Sequence, residues 1–164
     1  MVTTILGNAL ERARNFGDKA SFIGPALVRL TLGVVFMGTG WGKLHTLPQV
    51  TEFFASLHIP APAFQARLAA CTELFGGILV LVGLATRLAA LPLAFTMLVA
   101  IATAKRADID GFGTLLGFEE WSYLVMFVWL AVAGAGALSL DALWQRMRAA
   151  KASTPSVPAP LPSP

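Results

Sequence analysis

Glu73 is the residue in this chain whose surroundings most demand a chemical explanation. It sits in the middle of an apolar run, residues 64–84 (FQARLAACTELFGGILVLVGL). An ionised carboxylate in such a run is costly, and it normally faces protein rather than lipid and finds a partner there. The preceding apolar run, residues 26–44, carries two cations that could serve, Arg29 and Lys43. They are separated by about 21 Å along a helix, so each can extend toward a different headgroup layer. Glu73 lies about 14 Å from the outer end of its own run. Lys43 must therefore reach inward, or Arg29 outward, to meet it, and the sequence leaves both pairings open. A buried carboxylate beside an ammonium or guanidinium group can relay a proton or anchor a ligand, or it can simply tie two helices together. Glu73 and Lys43 are accordingly the candidate catalytic residues. Arg29, Lys43, Trp41 and His45 form the candidate cofactor-binding set.

Other motifs point to packing more than to chemistry. Gly38 and Gly42 have the four-residue spacing that lets two helices approach closely. The string GTGWGK resembles a phosphate loop but fails its pattern, since Leu44 follows the lysine where Ser or Thr is needed. His45 and His58 both fall between apolar runs, so no run supplies a histidine for haem, although Met37, Met97 and Met126 remain as weak ligands. They read as surface histidines, with a quinone or metal contact at the outer face as the alternative. The single cysteine, Cys71, permits no intrachain disulfide. Asp108, Asp110 and Gly111 place the glycine wrongly for a calcium loop. No metal site is expected.

The elements that must position these groups are legible from hydropathy. The chain has 164 residues, of which 56% are hydrophobic and 13% charged. An ordinary soluble domain carries roughly a quarter charged residues, and one this small has too much surface to solvate with so few. The expectation is an all-α integral membrane four-helix bundle, with the lipid bilayer as its main partner and spans near 26–44, 64–84, 88–104 and 121–140. Each is about 17–21 residues, enough for roughly 30 Å of hydrocarbon. Residues 25–140 then form the membrane domain. Residues 1–24 form an N-terminal segment with a short interfacial helix over 2–17. Residues 141–164 form a tail, amphipathic at first and Pro/Ser-rich at its end. A second interfacial helix is expected around Gln49–Leu57, and Thr86-Arg87 reads as a very short turn joining the second and third spans. The first run follows a long charged segment with no small-residue cleavage site, so it reads as an uncleaved span.

With four spans both termini share one side. That side holds Arg12, Arg14, Lys19, Arg29, Arg87, Arg146, Arg148 and Lys151, against Lys43, Arg67, Lys105 and Arg106 on the other. The positive-inside rule places the richer side in the cytoplasm. The net charge of +3 is distributed at the ends of apolar runs, without the aromatic-interleaved basic patch that nucleic acid would require.

Two stretches, RLTLGVVFMGTGWGKL (Arg29 to Leu44) and ELFGGILVLVGLATRLAAL (Glu73 to Leu91), together with the four-span plan, resemble the DoxX family of small bacterial membrane proteins. The resemblance implies an inner (plasma) membrane location. It also implies an association with membrane redox or thiol-stress systems, because the family includes subunits similar to those of thiosulfate:quinone oxidoreductase. The matching polar positions are Arg29, Lys43, Glu73 and Arg87. No redox cofactor motif is present in the sequence, so electron transfer would need a quinone bound in the bundle, a soluble or membrane redox partner, or both. The expected function is therefore a quinone-linked or thiol/sulfur redox subunit. A non-catalytic scaffold recruiting a partner enzyme is the main alternative, and a small transporter, which would require oligomerisation, is the third.

Overall fold

The computed structural model describes residues 22–152. The interfacial helix expected over 2–17 and the Pro/Ser-rich end of the tail lie outside those residues. Within them the chain is helical, with no strand. In chain order the α-helices are α1 (Ile23–His45), α2 (Leu47–Ser56), α3 (Pro62–Val82), α4 (Thr86–Thr103), α5 (Phe112–Gly117), α6 (Glu119–Ala133) and α7 (Leu140–Ala152). A single 3₁₀ turn, Arg106–Asp108, follows α4. Helices α1, α3 and α4 are long and apolar enough to cross a membrane. Many of their large side chains face outward: Val34, Phe75, Leu88 and Phe95 are all more than half exposed, as a lipid-facing surface requires.

Local chemistry sets the helix ends. Lys43 and His45 occupy the last turn of α1, where cations suit the helix dipole. Pro48 and Pro62 stand in the first turns of α2 and α3, where a missing N–H costs nothing. Helix α3 stops at Gly83, which takes φ +73°, and the N–H groups of Gly83 and Leu84 both return to the Leu79 carbonyl at 2.9 Å. The connection to α4 is thus Gly83–Ala85, and the expected turn residues Thr86 and Arg87 are instead the first turn of α4. Pro92 lies within α4.

The helix at the position of the fourth expected span is shorter than expected. Helix α6 ends at Ala133, not at residue 140, giving 15 residues or about 22 Å of helix. Gly134 and Gly136 adopt φ +86° and +76°, which break the helical path although hydropathy continues unchanged through AGAGAL. The carbonyls this frees find a donor in Arg29, described below.

Helix α1 packs along α3, and α4 along α6, so the bundle is two helix pairs. Glycines set the first contact. A methyl on Gly40 would drive into the α3 backbone at Leu74, and one on Gly77 into the α1 backbone at Met37. The expected pair, Gly38 and Gly42, meets nothing within 4 Å. The residues that let the backbones touch are Gly33, Gly40 and Gly77, while Gly76 turns the other way and takes Leu93 of α4 at 3.0 Å. The hydrophobic core lies toward one end of the bundle. Leu32 and Phe36 of α1, Val80 of α3, Ala90 and Leu93 of α4, and Phe127 and Leu130 of α6 join there.

That end is closed by Arg29, which is 5% exposed. Its guanidinium donates to four backbone carbonyls: Val80 (2.9 Å) and Leu81 (2.8 Å) in the last turn of α3, and Ala135 (3.0 Å) and Leu138 (2.6 Å) in the segment after α6. Asp141 complements it. Its carboxylate accepts from the N–H groups of Ala85 (2.8 Å) and Thr86 (3.2 Å), capping α4, while its own N–H donates to the Gly83 carbonyl at 2.9 Å.

Two outcomes follow from this packing. Gly40→Leu forces a side chain into the α3 backbone and is expected to cost about 3 kcal/mol or more, whereas Gly38→Leu, which meets open space, should leave stability unchanged. Thermal unfolding in detergent checks the contrast, and equal melting temperatures would refute it. Arg29→Met strands four carbonyls and is expected to cost about 3 kcal/mol or more on the same measurement.

Candidate functional site

The other end of the bundle is open inside. The two helix pairs leave between them a cavity of about 1070 Å³. One wall comes from the second half of α1 and the first half of α3, through Val35, Phe36, Thr39, Lys43, Leu68, Thr72 and Glu73. The other comes from the second half of α4, the two residues beyond its end and the start of α6, through Phe95, Thr96, Val99, Thr103, Ala104, Lys105, Glu119, Glu120 and Tyr123. Helix α2 and the chain after it add Gln49, Val50, Phe53, Phe54 and Ile59. The lining is apolar over most of its area, with a few convergent polar groups, the usual composition of a site for a lipophilic small molecule.

Glu73 and Lys43 meet on the first wall. Lys43 sits near the C-terminal end of α1 and extends inward to Glu73 in the middle of α3, placing Nζ 2.5 Å from Oε1. The Glu73 side chain is 3% exposed and that of Lys43 33%. The open pairing question is thereby resolved in favour of Lys43. The second carboxylate oxygen, Glu73 Oε2, is buried and has no hydrogen-bond partner among the described residues. The result is a carboxylate with one oxygen neutralised and one available, beside an ammonium that retains two further N–H donors. In an apolar wall such groups attract a polar ligand atom more strongly than they would in water.

The remaining members of the expected set lie elsewhere. Arg29 belongs to the opposite end of the bundle, with its donors committed to backbone carbonyls, so it is a structural residue there and does not reach the cavity. Trp41 and His45 are exposed on the outer face of α1, with ring centroids 4.4 Å apart and His45 Nδ1 2.9 Å from the Trp41 carbonyl. Neither lines the cavity. The reason is helical phase: Trp41 and His45 are four residues apart and share one face, which is not the face of Lys43. Arg87 lines a separate, smaller hollow of about 540 Å³ at the Arg29 end, with Gly134, Ser139, Asp141 and Gln145.

A second ion pair was not anticipated from sequence. Lys105 Nζ lies 3.8 Å from Glu120 Oε1 and 5.6 Å from the centroid of the Phe118 ring. Glu119 and Glu120 read most simply as acids at a helix N-terminus, and Lys105 as a loop cation. The available signal was their order: a cation just past one apolar run and an acid just before the next, where antiparallel neighbours bring the two ends together.

If Lys43 and Glu73 form one electrostatic unit, removing half of it strands a buried charge. Lys43→Met is expected to cost about 3–5 kcal/mol, and the double variant Lys43→Met/Glu73→Leu to recover most of that. Unfolding curves for the two single variants and the double variant measure the coupling, and simple additivity would disprove it.

Comparison with known proteins agrees with this architecture. A family model described as DoxX matches residues 24–106, the stretch from the start of α1 to just beyond α4. Over 126 residues the chain is 34% identical to "Putative oxidoreductase CatD" of Bacillus subtilis (strain 168), covering 76% of this chain and 89% of that protein. It is 29% identical to the inner membrane protein YqjF of Escherichia coli (strain K12), covering 76% of this chain and 95% of that one. It is 35% identical to the membrane protein Rv3486 of Mycobacterium tuberculosis (strain ATCC 25618 / H37Rv), covering 70% and 77% respectively. No solved structure matches. The glycine-packed α1/α3 pair, the Lys43–Glu73 contact and Arg29 itself sit within the matched segment, while the carbonyls of Ala135 and Leu138 that complete the Arg29 closure lie beyond it; the chain belongs to the DoxX family of membrane proteins.

Proposed function

We propose that this protein is a redox subunit of the bacterial inner membrane that binds a lipid-soluble quinone in the cavity between its helix pairs. The observation that carries the reading is the half-satisfied carboxylate of Glu73 on the wall of a largely apolar cavity of about 1070 Å³. The fit to a quinone rests on a volume large enough for a ring and, at its wall, an ammonium that would donate to a carbonyl oxygen beside a free carboxylate oxygen that would accept from the hydroxyl formed on reduction. The name of the Bacillus relative, which includes the word oxidoreductase, is consistent with it.

A bound quinone supplies two-electron chemistry, its two carbonyls becoming hydroxyls as two electrons and two protons arrive. The electrons come from a reduced thiol or sulfur species carried by a soluble or membrane partner. Lys43 Nζ would donate a hydrogen bond to a carbonyl oxygen and orient the ring. Glu73, in contact with Nζ, would hold that cation in place and serve as the acid–base group through which protons reach the site. The apolar walls exclude bulk water from this exchange.

The same reading assigns a topology. Helix α6 makes the fourth crossing, both termini are cytoplasmic, and the cavity opens in the outer half of the bilayer. A reporter fused after Ala152 is expected to remain cytoplasmic, and one inserted at Gly111 to be exported. The reverse pattern would overturn the assignment.

The functional test is purification of the full chain in mild detergent, with extraction of its lipid-soluble contents. Wild-type protein is expected to retain quinone or to take it up when added. Glu73→Gln is expected to lower quinol formation roughly a hundredfold in a complex reconstituted with its partner, in line with the loss of an acid–base group. Protein that neither retains nor takes up quinone would refute the reading.

A further inference from the structure

The two ion pairs in the cavity share one design. Lys43 and Lys105 have side chains 33% and 36% exposed, each held by a carboxylate that is far more buried, Glu73 at 3% and Glu120 at 16%. In each carboxylate one oxygen faces the lysine, while the other is buried without a hydrogen-bond partner. All four residues line the same cavity, one pair on the α1/α3 wall and one on the α4/α6 wall. Each lysine keeps N–H donors beyond its ion pair, so the cavity carries a donor group on each of two walls and, paired with each, a carboxylate oxygen that can only accept, as from a hydroxyl. A ligand with a single polar end would satisfy one pair and bring an apolar end against the other.

We infer that Lys105, held by Glu120, is a second ligand-binding cation of this cavity, and that the cavity takes a molecule with hydrogen-bond acceptors on two opposite edges. This deepens the quinone reading and rests on it. Among lipid-soluble redox molecules, a ring with two opposed carbonyls has this shape, and an acyl chain with one headgroup does not. Lys43 then binds one carbonyl oxygen and Lys105 the other. The Phe118 ring, 5.6 Å from Lys105 Nζ, helps hold that cation in place.

Two probes separate the possibilities: a benzoquinone with a decyl tail, and a decyl ketone of similar size with one carbonyl. Each is titrated into the full-length protein in lipid nanodiscs. Wild-type protein is expected to bind the quinone roughly tenfold more tightly than the ketone, the equivalent of one charge-assisted hydrogen bond. Lys105→Met is expected to remove that preference while leaving ketone affinity unchanged, and Glu120→Gln to reduce it. Lys105→Gln serves as the second variant if Lys105→Met does not fold. Quinone affinity unchanged in the Lys105 variant, or a parallel loss for both probes, overturns the inference and leaves the quinone reading standing. Wild-type protein that binds neither probe overturns the quinone reading, and this inference with it.

Discussion

Lipid supplies no hydrogen bonds, so every backbone group that leaves a helix within the bundle must be satisfied by the protein itself. In this molecule that demand converges on Arg29. Its four acceptors come from two parts of the chain far apart in sequence, the end of α3 and the segment after α6. The same guanidinium permits α6 to stop at Ala133 and the chain to turn through Gly134 and Gly136. It also requires Gly83, because a side chain there would occupy the space of the guanidinium itself. Once α1, α3 and the 134–139 segment are tied to one point, the two helix pairs are fixed against each other at that end.

Fixing one end frees the other. The close-packed residues, from Leu32 and Phe36 through Phe127 and Leu130, gather near the tied end. The halves of the same helices that lie farther away enclose space instead. Stability and ligand access are thus divided along the length of the bundle. Glu73 stands near the boundary, buried yet still on the wall of the cavity. Its contact with Lys43 bridges α1 and α3 where glycines have already brought the backbones together.

Much of this was readable from residue types alone. Hydropathy located the apolar helices to within a few residues at most ends, and the cost of a carboxylate in lipid singled out Glu73. Three things were hidden, each for a physical reason. Glycine and alanine are apolar enough to prolong a hydropathy signal past a helix end, so the stop at Ala133 was invisible. Spacing identified Gly38 and Gly42, but the face that meets α3 depends on helical rotation, which a single sequence does not give. The roles of Arg29 and Asp141 required knowing which distant carbonyls and N–H groups lack partners, and that is a property of the assembled bundle. The same holds for Lys105 and Glu120, which are unremarkable until the ends of α4 and α6 are placed side by side.

The reach of Asp141 back to Ala85 and Thr86 has a consequence for the order of assembly. As the chain emerges from the ribosome, α1 and α3 can dock as soon as both are made, since their contact is internal to the first half. The N-terminus of α4 must wait. Its cap and two of the carbonyls that complete the shell of Arg29 are encoded some fifty residues later. Assembly therefore includes a latch: a segment made after α6 locks the first helix in place.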